Sequence, residues 1–83
     1  MLPEELQGRE MVIGSKQVKK ALSQGKVWKV YLAADAEPHV LVPLKELCYE
    51  QQVEVEEVKS MILLGQACGI EVGAATAALL IEK

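Results

Sequence analysis

The chain has no phenylalanine, and its 83 residues include one tryptophan, two tyrosines and one histidine. A core without large aromatic rings has to be filled by Val, Leu, Ile and Ala. Long apolar runs are missing too. The longest weakly polar stretch, Val72 to Ile81, has ten residues, against the roughly 20 that a bilayer span needs. The N-terminal sequence MLPEELQGRE lacks the basic start and apolar stretch of a secretory signal. Two cysteines, Cys48 and Cys68, stand far apart and form no C-x-x-C pair. They read as reduced, buried thiols of a cytoplasmic protein, with no membrane partner.

Catalytic groupings are equally scarce. Acid–base or nucleophilic chemistry needs converging side chains, and the lone His39 follows Pro38 as an ordinary surface residue. No G-x-S-x-G occurs. Gly65, Gly69 and Gly73 recur at four-residue intervals but lack the Lys-Ser/Thr that a phosphate loop requires, so close packing, a helix cap and a loop are their expected roles. Metal-ligand spacing is absent as well. The sequence gives no support to an enzyme, a metal or any other cofactor.

What is present is one small domain, residues 1–83, with charge unevenly spread. Lys16, Lys19, Lys20, Lys26 and Lys29 stand between Val12 and Val30 with no acid among them, although the formal net charge of the chain is -3. From Asp35 to Val58, seven acids (Asp35, Glu37, Glu46, Glu50, Glu54, Glu56, Glu57) face a single Lys45. The molecule therefore has a basic and an acidic part. Local charge, more than net charge, is what a phosphate chain meets first.

The pattern along the chain alternates strands and helices. Pro3 to Gln7 suits a short helix, and Glu10 to Ile13 a short strand closed by Gly14. Ser15 reads as the N-cap of a helix to about Gln24, with Gly25 at its C′ position. Val18, Ala21 and Leu22 share that helix's apolar face. Val27 to Ala34 is continuous, branched and aromatic, as in a central strand covered on both sides. Asp35 and Glu37 introduce a helical turn after Pro38. Pro43 is expected to interrupt it, with a restart running to about Gln51. Val53 to Glu56 alternates as a strand with one wet face. Ser60 caps a third helix ending at Gly69, and Ala74 to Ile81 reads as the last strand. This order predicts an α/β fold, a three-layer α/β/α sandwich around a central mixed four-stranded sheet.

Two stretches break local rules. Lysines at a helix start oppose the helix dipole by up to about 1 kcal/mol each, and Lys16 repels Lys19 and Lys20 by a few tenths of a kcal/mol per pair. An anionic ligand would reverse those signs, because phosphate meets free N–H groups, dipole and lysines together. Gln17 offers amide groups for base edges. A solvated lysine face, or an acidic protein patch as partner, fits the same residues. In the second stretch, Ile70, Glu71 and Val72 lie between two glycines. They either form a loop whose apolar groups meet an unstacked base or simply begin the last strand.

Three motifs, GSKQVKKAL, LAADAEP and LGQACGIEV, stand here in the order and spacing of the L7Ae/L30e ribosomal protein family. The chain resembles that family over essentially its whole length, most closely its small bacterial, YbxF-type members. The resemblance implies a non-catalytic module that binds kink-turn RNA, a helix–bulge–helix with tandem sheared G·A pairs and a flipped bulge base. It places Gly14, Ser15, Lys16, Gln17 and Lys20 at the G·A pairs, with Lys16 and Gln17 on guanine edges and Lys20 on a base edge or a phosphate; Lys19, at the edge of the same helix face, reads as a general attractor of phosphate. It places Glu37 on the flipped base with Leu41 packed beside it, and Ile70, Glu71 and Val72 as a clamp on the bulge. Lys16-Gln17 replaces the Asn-Glu of archaeal and eukaryotic members, and Met61 stands where many relatives carry Lys. The implied partner is a structured RNA (ribosomal RNA, a riboswitch or another), and the ribosome itself is a candidate. The protein is expected to be a monomer. The alternative is a protein–protein interaction module of the same fold with weak or lost RNA binding.

Overall fold

The computed structural model describes residues 10–81; the helix expected over Pro3 to Gln7 lies outside the described residues. The elements follow one another as β1 (Met11–Ile13), α1 (Ser15–Ser23), β2 (Val27–Ala33), α2 (Pro38–Gln51), β3 (Glu54–Val58), α3 (Met61–Ala67) and β4 (Thr76–Leu80). The sheet order is β1-β4-β2-β3. β2 and β3 are parallel, and β4 runs antiparallel to both β1 and β2. α1 packs on α2 in one layer, and α3 packs on β2, β3 and β4 in the other. The expected three-layer sandwich with a mixed four-stranded sheet is the observed fold.

Burial follows the residue pattern. β2 and β4 are the inner strands, and Val30, Tyr31, Ala33, Ala77, Ala78 and Leu79 are shielded from solvent on both sides of the sheet. Val18, Ala21 and Leu22 of α1, Leu41, Leu44 and Cys48 of α2, and Leu64 of α3 close the core over them. Thr76, fully buried, donates its hydroxyl to the Tyr31 carbonyl at 2.8 Å, so its polar group is satisfied.

Both glycine-ended helices finish alike. At α1 the Gly25 N–H donates to the Leu22 carbonyl and the Lys26 N–H to the Ala21 carbonyl, with Gly25 at φ 69°. At α3 the Gly69 N–H reaches Gln66 and the Ile70 N–H reaches Gly65, with Gly69 at φ 81°. These paired bonds satisfy carbonyls that a helix end otherwise leaves open, and the left-handed residue they need is cheapest as glycine.

Four expectations change. Ser15 is the first helical residue of α1, not its cap. Gly14 holds the cap position at φ 98°, and its carbonyl receives the Val18 N–H at 3.0 Å. α2 is one helix through Pro43. The proline deletes only the bond to the carbonyl of His39, an exposed residue whose carbonyl water can serve. Val55 is half open to solvent, because β3 is an edge strand. Lys29 is buried among β2 and β3, with its Nζ 3.5 Å from Glu54 Oε2 and 3.0 Å from Glu56 Oε1, and 5.1 Å above the Tyr31 ring. It is not part of a free basic surface. Its glutamate partners, with Glu57, also charge an edge that would otherwise invite another strand.

Candidate nucleic-acid interface

The sheet register brings the three singled-out stretches to one end of the molecule. Ile13 pairs with Ala77, Leu32 with Thr76 and Ala33 with Val58. The C-terminal ends of β1, β2 and β3 thus meet the N-terminal end of β4. Hydrogen bonds extend this beyond the strands. The Gly14 N–H donates to the Thr76 carbonyl at 3.0 Å, Ala33 N–H to Ala75 at 2.9 Å, and Ala34 N–H to Val58 at 2.7 Å. The start of α1, the loop from Ala34 to Glu37 and the loop before β4 therefore share one surface.

On α1, Lys16, Gln17, Lys19 and Lys20 are all exposed, and Val18 anchors the helix beneath them. Lys16 alone sits in the first turn with no acid beside it, and Lys20 falls in the last turn of this nine-residue helix. The dipole penalty expected for the lysines therefore rests chiefly on Lys16, whereas Lys20 is favourably placed. Gly14 has no neighbour within contact of a side chain, yet its positive φ disfavours any other residue. Lys26 and Lys29 lie at the far end of β2, where Val27 pairs with Leu80, and belong to a different part of the surface.

Glu37 is the N-cap position of α2, but its side chain makes no capping bond. Its carboxylate is exposed, 3.0 Å from Nδ1 of His39. The isolated surface histidine is thus a direct neighbour of a candidate site residue. One turn on, Leu41 is only 8% exposed and belongs to the core. It supports the turn carrying Glu37, with its N–H donated to the Glu37 carbonyl at 3.2 Å, and offers a ligand little surface of its own.

The segment from Gly69 to Ala75 is a loop, as one of the two sequence readings held, because β4 begins only at Thr76. Val72 is 70% exposed and Glu71 is open, while Ile70 is partly buried against the core. The loop is folded back on α3. A Cβ on Gly65 would overlap the Val72 carbonyl, and one on Gly73 would come within 3.1 Å of the Met61 Cβ. The Ala74 N–H donates to the Met61 carbonyl at 2.9 Å.

Asp35, expected to serve the start of α2, serves α3 instead, with its Oδ1 receiving the Met61 N–H at 2.8 Å. Ser60, the expected cap, receives the Leu63 N–H at 3.1 Å. Local pattern gives no hint of the Asp35 contact, because the partners are 26 residues apart. The surface as a whole mixes Lys16, Lys19 and Lys20 with Asp35, Glu37 and Glu71, all of them exposed. It suits recognition by placed contacts more than attraction by a strong uniform field.

Burial raises the pKa of both thiols, Cys48 and Cys68. Raised thiols are poor nucleophiles and poor ligands at neutral pH. Among the described residues no grouping of His, Cys, Asp and Glu could hold a metal ion, and no helix is long and apolar enough to cross a membrane.

Fold and surface together define a small α/β/α module that presents three separate stretches of chain on one composite face. The ribosomal protein L7Ae/L30e/S12e/Gadd45 family model matches residues 1–83, and the chain belongs to that family. An RNA-binding protein of Caldanaerobacter subterraneus subsp. tengcongensis is 49% identical over 67 residues, covering 81% of this chain and 82% of the relative. The RNA-binding protein YbxF of Geobacillus stearothermophilus is 41% identical over 75 residues, covering 90% and 92%. Among solved structures, the Giardia lamblia 15.5kD RNA binding protein matches with a TM-score of 0.82 at 27% identity, over 88% of this chain and 62% of that one. The resemblance carried by the three motifs is borne out at the level of family and fold.

Proposed function

We propose that the protein is a non-catalytic RNA-binding module that recognises and stabilises kink-turns. The observation that carries this reading is the convergence of the three motif-bearing stretches on one end of the sheet, through the Gly14–Thr76 and Ala33–Ala75 hydrogen bonds. In this reading Lys16 and Gln17 meet the edges of the G·A pairs, Lys20 meets a base edge or a phosphate, and Lys19 attracts phosphate. Glu37 accepts from the flipped base and Val72 packs on the bulge. The free energy of bending the RNA is offset by phosphate neutralisation and base contacts. The RNA would be a structured cytoplasmic species, ribosomal RNA among the candidates, and the protein would act as a monomer.

Support comes from family membership and from relatives that are RNA-binding proteins. The test is titration with a kink-turn duplex and with the same duplex after its G·A pairs become Watson–Crick pairs. If each of two pairs contributes about 1 kcal/mol or more of discrimination, affinity falls at least about 30-fold. Equal affinity for the two duplexes, or none for either, would refute the reading. Ile62 and Leu63 on α3 are exposed apolar residues and favour the second reading, a protein-interaction module of the same fold, which that negative result would promote.

A further inference from the structure

We infer that Asp35 is a positioning residue that latches two halves of the interface together, and that it acts through the backbone of Met61. The proposal rests on the RNA-binding reading for its consequence, but the latch itself belongs to the free protein.

Met61 carries hydrogen bonds in two directions. Its N–H donates to Asp35 Oδ1 at 2.8 Å, and its carbonyl accepts the Ala74 N–H at 2.9 Å. Asp35 sits two residues before Glu37, and Ala74 two residues after Val72. One residue of α3 thus joins the stretch that presents Glu37 to the loop that presents Val72. Gly14, Ala33 and Ala34 tie the sheet ends together, but their bonds do not reach the tip of the loop.

The surroundings make the bond matter. Asp35, Glu37, Val72 and Gly73 are all exposed, so side-chain packing does little to fix Glu37 relative to Val72. Gly73 lies close against Met61, and the Val72 carbonyl close against Gly65, so a shift of the start of α3 moves the loop with it. The first turn of a helix has N–H groups with no partner inside the helix. Ser60 takes that of Leu63, and Asp35 takes that of Met61. A carboxylate there is also favoured by the helix dipole. Asp35 needs no contact with RNA to influence recognition, because separation of the two contacts by even an ångström spoils a pre-set geometry.

The experiment compares the full chain with Asp35→Ala, which removes the acceptor, and Asp35→Asn, which keeps an oxygen at the same place. Kink-turn affinity should fall about tenfold in Asp35→Ala and stay within about threefold of the parent in Asp35→Asn. In a Val72→Ala background the further loss on Asp35→Ala should shrink below about threefold. In a Lys16→Ala background it should remain whole. In the free protein, amide hydrogen exchange at Met61 and Ala74 should quicken in Asp35→Ala and not in Asp35→Asn. Equal losses in the Val72→Ala and Lys16→Ala backgrounds would mean general destabilisation and overturn the proposal. Unchanged exchange at Met61 and Ala74 would overturn it as well. If the parent protein fails to distinguish the two duplexes, the functional reading falls, and the exchange measurement decides the latch alone.

Discussion

The carbonyl oxygen of Val72 occupies the space where a side chain on Gly65 would begin. Helix α3 and the loop before β4 therefore meet backbone to backbone, and the loop's exposed valine is held at a fixed height above the helix. A helix-propensity argument favours Gly65→Ala by about 1 kcal/mol. The overlap is with backbone and cannot be relieved by a rotamer change, and overpacking of this kind costs about 1–3 kcal/mol. We expect a net loss of up to about 2 kcal/mol, a lower melting temperature and weaker RNA binding. A raised melting temperature would contradict the close approach.

Lys16 sets binding against stability. It lies in the first turn of α1, which carries no acid, where a cation costs about 0.3–1 kcal/mol. Lys16→Ala should therefore unfold at slightly higher urea while binding RNA more weakly. Lys20, in the last turn, has the opposite dipole term, so Lys20→Ala should weaken binding with no gain in stability. For every phosphate that a lysine no longer neutralises, the plot of log K against log salt should also flatten by about 0.7–0.9.

Ile70 and Val72 look equivalent in sequence and are not. Ile70 packs partly into the core, whereas Val72 stands out from it. Val72→Asp should leave the unfolding midpoint nearly unchanged and remove most of the kink-turn affinity. Ile70→Asp buries part of a charge without a partner, so it should lower stability by a few kcal/mol, and its binding loss cannot be separated from unfolding. Circular dichroism melts beside RNA titrations distinguish the two.

How far the sequence led depends on whether the cause of a feature is local. The stripe Val18, Ala21, Leu22 and the continuous run of β2 mark a helix face and a doubly covered strand, and both are buried as expected. Gly25 and Gly69 announce helix ends by conformational need alone. Pro43 misleads because a missing hydrogen bond matters only if the orphaned carbonyl lacks water, which depends on which side of α2 faces out. Lys29 looks like surface charge until β3 supplies Glu54 and Glu56. The three motif stretches are legible one by one, but their meeting at one end of the sheet is a property of strand order. The Asp35–Met61 contact, between residues 26 apart, is likewise set by the fold and by no local pattern.

Lys29 provides a control for charge in the wrong place. Its Nζ is held by Glu54 and Glu56 away from the α1 surface. Lys29→Met keeps the aliphatic stem and removes the cation. Both glutamates remain partly solvated, so the cost should be about 1–3 kcal/mol, below that of stranding a fully buried partner. RNA affinity measured below the melting temperature should stay within about twofold of the parent. A loss as large as that of Lys16→Ala would mean that long-range field, not placed contacts, drives binding.

The two thiols give the molecule an alkaline limit. Burial raises the pKa of Cys48 and Cys68 above the ordinary 9.0. An unfolded chain would release those protons at the ordinary value, while the folded chain still holds them. Between the two values the folded state binds more protons, so stability falls as pH rises. Below the ordinary value both states are protonated and the thiols contribute no slope. Urea midpoints should therefore show a thiol-dependent decline beginning near about pH 9, and a Cys48→Ala, Cys68→Ala double variant should lose that part of it. At neutral pH an alkylating reagent should modify the half-buried Cys68 first. Cys48 is 1% exposed and should react only as fast as the protein opens, so denaturant should accelerate its labelling in parallel with unfolding; equal labelling of both in the folded protein would contradict the packing around α2.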